Sequence, residues 1–399
     1  MLALEEAVEC LLHHTRSITE TERIPLLTST NRILAAPLSA MADQPPFPRS
    51  PLDGYAVRGQ DTEGAKKDFP KRLKVIGAVY AGEVFCGTVK EGEAVRITTG
   101  APVPEGADTV IRQEDTDYGR EEVEIYRASF PYENYCCQGE DYRKGDVLFE
   151  GGMRMDGIGI ALAAGLGKEF VEVYRKPKVA VISTGDELVQ PGIPLQPGKI
   201  YDTNRHLISG RLLDFGITPF ASLHGRDDAE EMAETLLELS GKADLIVTTG
   251  GVSVGEKDIM HQVLPLLSAE KLFWRVEVKP GAPTLAAVLG STLLICLSGN
   301  PFAAAANFEL LVRPVLGKIT GDKRLEVKRH RAVMANDFIK PKGTRRFLRG
   351  YAEDGKVWAS AGNHASGTLS AMAGSNCLIE IAKEQAGAGK GDEVWVYLR

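Results

Sequence analysis

The chain has 399 residues, 43% hydrophobic and 25% charged; that excludes a disordered polymer, and at ~100–200 residues per domain it predicts two to four domains. Lys and Arg total 47 and Asp and Glu 54, a net charge of −7, which excludes a broad nucleic-acid-binding surface but not a local basic pocket. No run of about 18 apolar residues exists, so no membrane span is expected, and Glu5, Glu6 and Glu9 stand where a signal peptide would be basic and apolar.

The first element is a helix: Leu4, Ala7, Val8, Leu11 and Leu12 recur at helical spacing and form one apolar face. Residues 24–40 read as extended. Gln44-Pro45-Pro46-Phe47-Pro48 cannot be helical. From 55 to 150, short β-like runs at 73–79, 94–98, 109–112 and 122–126 lie between glycine turns, as in a small β-rich domain. Cysteines stand at 10, 86, 136, 137, 296 and 377 without a CxxC pair, so a reduced, cytoplasmic protein is expected. Seven histidines show no zinc-type spacing.

Residues 178–317 change character. The runs at 178–183, 244–249 and 293–298 are continuously apolar, as strands covered on both faces should be. Helical patterns at 204–215, 228–240, 256–267 and from Pro301 alternate with them, implying a parallel sheet between helices. Ligands of such sheets sit beyond the carboxyl ends of the strands, where each glycine-rich loop of this region falls. Residues 321–399 return to short strands at 332–334, 345–350, 357–360, 378–381 and 393–398, read as a small β-barrel. The stretch 385–391 reads as a turn.

Several loops carry possible chemistry beside an ordinary structural reading. Thr248-Thr249-Gly250-Gly251-Val252-Ser253-Val254-Gly255 joins a strand to a helix; its glycines let a ligand approach the backbone, and the helix start favours anions. Glu256 and Asp258 follow, as dipole-favouring acids or, for Asp258, as a ligand of a divalent cation. Ser183-Thr184-Gly185-Asp186-Glu187 is a turn, or a metal or ribose contact. One of Asp227 and Asp228 should cap a helix. Ser298-Gly299-Asn300-Pro301 reads as a helix start, with Asn300 as cap, that could also offer N–H groups to a phosphate. Lys279 precedes Pro280-Gly281 and would neutralise an oxyanion if it faced the same rim. Asp53-Gly54 and Thr98-Thr99-Gly100 are ordinary turns by spacing alone.

Taken in order, PLDGYAVR, RITTGAPVPEGADTVI, STGDEL, IYDTNR, TTGGVSVGEKD, VKPGAP and SGNP over residues 50–301 resemble the MoeA family of molybdopterin molybdenumtransferases, similar to the E domain of gephyrin. The resemblance covers essentially the whole chain. It implies an α/β fold with added β domains. Residues 1–20 and 175–320 would form a three-layer, molybdopterin adenylyltransferase-like α/β domain. An extended β domain would span 21–43 and 141–174, an inserted β domain 44–140, and a β-barrel 321–399. It further implies a homodimer with the site at the subunit interface, and an upstream adenylyltransferase partner. From the charge balance and the lack of a long apolar run, no nucleic-acid or membrane partner is expected.

The implied reaction joins molybdate to adenylylated molybdopterin, releases AMP and requires Mg2+. Gly250, Gly251, Ser253 and Gly255 would cradle the pyrophosphate, with Gly299, Asn300 and Pro301 on the same rim. Asp227 and Asp258 would hold the cation or position water, supported by Glu187. Arg275 and Lys279 would neutralise anionic oxygens. Asp53, Thr99 and Asp141 would complete the pocket from a neighbouring domain across the dimer, and Ser366 with Arg345 or Arg346 would help hold molybdate. Ala282 stands where many members carry a second lysine, while Leu52 and Ser298 replace the family's frequent Met and Pro. An adenylyltransferase would share the TTGG loop but not need the Asp53 and Thr99 strings or the barrel. A gephyrin-type scaffold would use a long linker, which the chain lacks.

Overall fold

The computed structural model describes residues 1–252, 259–360 and 365–399. The chain forms two compact units, one of residues 1–35, 152–156 and 171–399, the other of 36–151 and 157–170.

The first unit is built on a six-stranded sheet. Its strands are β1 (Val179–Thr184), β2 (Ala221–Gly225), β3 (Leu245–Thr249), β4 (Glu270–Trp274), β5 (Leu285–Leu289) and β6 (Thr292–Leu297). The order is β2-β1-β3-β6-β5-β4. β1, β2, β3 and β6 run parallel, as their apolar runs predict. β5 alone runs the other way, antiparallel to both β6 and the edge strand β4, a reversed strand that the reading of the three apolar runs did not include. The cause is the Gly290-Ser291 turn, with Gly290 at φ 62° and Leu289 directly opposite Thr292. Two-residue hairpins require such a positive φ.

The sheet's side chains alternate between two cores. Val179, Val181, Val247 and Ile295 pack with the face containing α1 (Leu4–His13), α2 (Asn204–Asp214), α5 (Pro301–Asn307) and α6 (Arg313–Thr320). Ala180, Ile182, Ile246 and Cys296 pack against α3 (Ala229–Ser240) and α4 (Met260–Leu266). Covering both faces gives three layers and explains the unbroken apolar runs. Each fully buried Val or Ile contributes roughly 1.5–3 kcal/mol. The part of the expected 256–267 helix before Ile259 lies outside the described residues.

The same unit ends in a closed barrel of β7 (Arg329–Met334), β8 (Arg346–Glu353), β9 (Lys356–Ala359), β10 (Cys377–Ile381) and β11 (Glu393–Leu398). Its strand order is β7-β9-β8-β10-β11, and β11 closes back onto β7. Ala332, Leu348, Val357, Ile379 and Val396 fill it. Gly387–Ala388, inside the stretch expected to be a turn, pairs with Phe338–Ile339. Residues 24–40 are not uniformly extended: Leu26–Ser29 is a 3-10 turn. The hydroxyls of Thr28 and Ser29 donate to Pro25 O and Leu26 O there, a local alternative to strand pairing.

The second unit holds a five-stranded sheet ordered Thr109–Arg112, Gly54–Val57, Glu93–Ile97, Lys71–Val79, Glu122–Ile125. Tyr55 and Val57 face one core and Ala56 the other. Gly157–Gly165, not foreseen from the sequence, is a helix. Among the described residues, no helix is long and apolar enough to cross a membrane.

Candidate active site

The parallel strands β1, β3 and β6 all end on one rim, and a cavity of about 1630 Å³ opens beyond them. It lies within the first unit. It brings together Glu187, Asp227, Gly250, Gly251, Arg275, Lys279, Gly299, Asn300, Pro301, Arg345, Arg346 and Ser366. Ser253, Gly255 and Asp258 lie outside the described residues.

The rim is made by backbone that only glycine can supply. Gly250 sits at φ 96°, and a Cβ there would come within 2.6 Å of both Thr184 O and Thr184 Oγ1. The β3 loop therefore lies directly against the β1 loop, and Gly250 N–H donates to Leu297 O at the end of β6 on its other side. Next along the rim, Asp228 caps α3: its Oδ1 accepts from Glu230 N and Glu231 N at 3.0 and 2.9 Å. That leaves Asp227 to line the cavity, where its Oδ2 accepts from Asp186 N at 3.3 Å.

Two rim residues escaped the sequence reading although the IYDTNR string contains them. Buried Asp202 accepts from Ser183 Oγ at 2.6 Å and pairs with Arg205 at 2.8 Å. Asn204 Nδ2 donates to Gly299 O at 2.7 Å and so anchors the SGNP loop. Asn300 occupies the cap position of α5, as expected, but makes no side-chain cap bond. The Phe302 N–H donates to Ser366 O instead, at 2.9 Å, which brings the barrel loop onto the helix start. Arg349, fully buried in β8, donates to Thr368 O and Ala365 O and so braces that loop. Its burial holds its guanidinium below the usual arginine range.

A further part of the cavity lining is cationic. Lys279 N donates to Arg345 O, and Phe347 N donates to Lys279 O, both at 2.9 Å. The Lys-Pro-Gly turn is thus stapled to the start of β8, with Lys279 beside Arg346 in a parallel bridge. Gly281, at φ 95°, lies so close to Asn307 that a Cβ would sit 2.5 Å from Nδ2. Asn307 Nδ2 donates to Gly281 O and Thr284 Oγ1 at 2.7 and 2.6 Å, fixing the turn from α5. Arg345 and Arg346 differ in kind. Arg345 is spent on Glu380 and Glu5, each at 2.8 Å. Burial works against its charge, but those carboxylates outweigh it and hold its pKa above the usual range. Arg346 has no acidic partner among the described residues, and its Nε is buried without a hydrogen bond, as is that of Arg275. Of the two arginines, Arg346 is the one available to an anion. Lys340 and Lys383 also line the cavity and were not singled out from the sequence; no motif surrounds them.

Asp53, Thr99 and Asp141 belong to the second unit. Asp53 ends the turn into Gly54–Val57, and its Oδ1 accepts from Thr99 N and Thr99 Oγ1 at 2.7 and 2.8 Å. Those two bonds hold its carboxyl below the usual aspartate range. Asp141 is exposed, and its N–H donates to Gln44 O. Among the described residues no three His, Cys, Asp or Glu side chains are grouped to hold a metal ion.

Three family models match the chain: the MoeA N-terminal region (domain I and II) over residues 2–167, the probable molybdopterin binding domain over 180–318, and the MoeA C-terminal region (domain IV) over 331–398. The chain is similar to the molybdopterin molybdenumtransferase of Haemophilus influenzae, 35% identical over 99% of this chain and 98% of that protein. It is also similar to that of Bacillus subtilis, 35% identical over 100% of this chain and 94% of that protein. Among solved structures, the molybdopterin biosynthesis moeA protein of Pyrococcus horikoshii superposes with a TM-score of 0.87 at 32% identity, covering 100% of this chain and 99% of that one.

Proposed function

Since the chain belongs to the MoeA family of molybdopterin molybdenumtransferases, transferases that insert molybdenum in molybdenum cofactor biosynthesis, we propose that its cavity joins molybdate to adenylylated molybdopterin and releases AMP. The observation that carries the reading is the mixed lining of this one cavity. Glycine-rich strand ends and the carboxylates of Glu187 and Asp227 line it together with the cations Arg275, Lys279 and Arg346. A substrate with a pyrophosphate and a tetrahedral metal oxyanion needs both kinds of surface.

In the proposed reaction the two dithiolene sulfurs of molybdopterin bond to the molybdenum of molybdate, while oxo groups, protonated by the thiols or solvent, leave as water. Water attacks a phosphorus of the pyrophosphate, the bridging P–O bond breaks, and AMP leaves. The backbone around Gly250 and Gly251 and the SGNP loop cradle the phosphates, with Ser253 and Gly255 continuing the first loop. Asp227, supported by Glu187, orients the attacking water. Arg275 and Lys279 neutralise the phosphate oxygens, while Arg346 and Ser366 face the molybdate. Mg2+ takes only one or two carboxylates besides phosphate oxygens. Asp227 suits that donor set, since Asp186 N–H is the donor to its Oδ2, and Asp258 would be its companion. Bound there, the ion would supply charge neutralisation of the pyrophosphate. Asp53, Thr99 and Asp141 would complete the pocket from the second subunit of a homodimer, in the cytoplasm, supplied by a molybdopterin adenylyltransferase. The test is AMP release from adenylylated molybdopterin by the purified protein. Release is expected only with molybdate and abolished by chelator. Equal release without molybdate would point to simple hydrolysis and overturn the reading.

A further inference from the structure

Two cations of the cavity wall have no part in that scheme. Lys340 and Lys383 come from different segments of the barrel domain, yet backbone bonds lock the segments side by side. Lys340 N donates to Ala386 O at 3.0 Å, and Gly343 N donates to Lys383 O at 2.9 Å. Beneath them Phe338–Ile339 pairs with Gly387–Ala388, where Gly387 is so tight that a Cβ would lie 1.9 Å from Phe338 O. The two lysines are therefore held as a pair on the same cavity that receives Lys279 and Arg346. Neither ammonium has an acidic partner among the described residues. This contrasts with Arg345, which carboxylates neutralise. Lys328, elsewhere in the domain and outside the cavity, pairs with Glu326 at 3.6 Å.

A concave wall of unpaired like charges concentrates counter-ions, because its low-dielectric sides focus the field. We propose that Lys340 and Lys383 are an outer binding pair of the cavity for a doubly charged tetrahedral oxyanion, supplying positive charge in a chain with Ala282 after the Lys279-Pro280-Gly281 turn. The oxyanion is either inorganic molybdate or the phosphate of the nucleotide substrate. The inference rests on the cavity being the reaction site proposed above. It adds that these two residues set anion affinity and its salt dependence.

The experiment is calorimetric titration of the full chain with molybdate alone and with AMP alone, at low and high ionic strength. It compares the parent with Lys340→Gln/Lys383→Gln. A second double variant, Lys328→Gln/Lys356→Gln, makes the same change in net charge outside the cavity. The cavity double variant should bind at least one of the two anions roughly tenfold more weakly, with a shallower salt dependence. The control should bind like the parent. Weakening for molybdate alone identifies molybdate as the occupant, and weakening for AMP alone identifies the phosphate; loss for both makes the pair a general anion collector. Equal binding by the parent and the cavity variant overturns the inference, as does equal weakening in the control. Failure of the proposed function shows separately, as a parent that releases AMP without molybdate. Coincident unfolding curves for all three proteins exclude misfolding as the cause.

Discussion

At the scale of single residues, adjacent aspartates are given different work by a small difference in geometry. Asp228 turns its carboxylate back to two helix N–H groups, while Asp227 lines the cavity. Asp228→Ala should therefore cost about 0.5–2 kcal/mol of stability and little activity. Asp227→Asn should melt near the parent. If the charge of Asp227 acts in the transition state, AMP release falls about 10²–10³-fold. Paired thermal melts and turnover measurements check both, and reversed phenotypes would exchange the two assignments. Asp258→Asn should show the Asp227 pattern rather than the 0.3–1 kcal/mol loss of a mere dipole contact. The sequence predicted that one of these two aspartates would cap, because a cap is a local pattern. It could not separate Arg345 from Arg346. That difference depends on Glu5 and Glu380, hundreds and tens of residues away. Lys340 and Lys383 carry no local signal, since only the barrel's closure brings their segments together.

At the scale of elements, the strands most legible in the sequence are those with the least freedom. β1, β3 and β6 are buried on both faces, so their apolar runs are unbroken. β5 is also apolar, but it passes into β6 through only two residues; a Gly-Ser pair between two apolar runs was the signal that separates them. Cys296, in β6, tests this burial. Desolvation pushes its thiol up to about 12. A raised pKa contributes stability that is complete below the ordinary thiol value and lost as pH rises toward the folded value. Unfolding midpoints should thus fall between about pH 9 and 12, more steeply for the parent than for Cys296→Ala. Equal slopes would place the titration elsewhere.

A second element-scale feature is the π-turn Phe308–Val312 between α5 and α6. It buries Glu309 against Arg211 of α2 at 2.8 Å, Arg313 of α6 at 3.4 Å and the terminal Arg399 at 3.8 Å. One carboxylate thus joins the helical layer to the end of the barrel. Glu309→Ala removes the carboxylate shared by three largely buried guanidiniums, of which Arg211 keeps Asp214 at 2.6 Å, and should cost about 3 kcal/mol, read as a lowered denaturant midpoint. A loss below about 1 kcal/mol would mean that these cations reach water and behave as a surface network.

At the scale of the whole molecule, the cavity is one unit's work, whereas Asp53 and Thr99 form a bonded pair on the other. Two Thr99 donors hold the Asp53 carboxyl below the usual range and tie its turn to the turn at 98–101. If the homodimer proposed above pairs each cavity with Asp53 and Thr99 of the partner subunit, light scattering should give twice the 43.2 kDa chain mass. Complementation decides the sharper question. Asp53→Asn and Asp227→Asn should each be nearly inactive alone. Mixed, dissociated and re-paired at random, half the dimers would hold one chain of each kind. In a two-fold dimer with shared sites, such a dimer has both lesions in one site and neither in the other. The mixture should then recover roughly a quarter of the parental AMP release. If each chain completes its own site, every site in the mixture carries a lesion, and activity stays at the level of the separate variants.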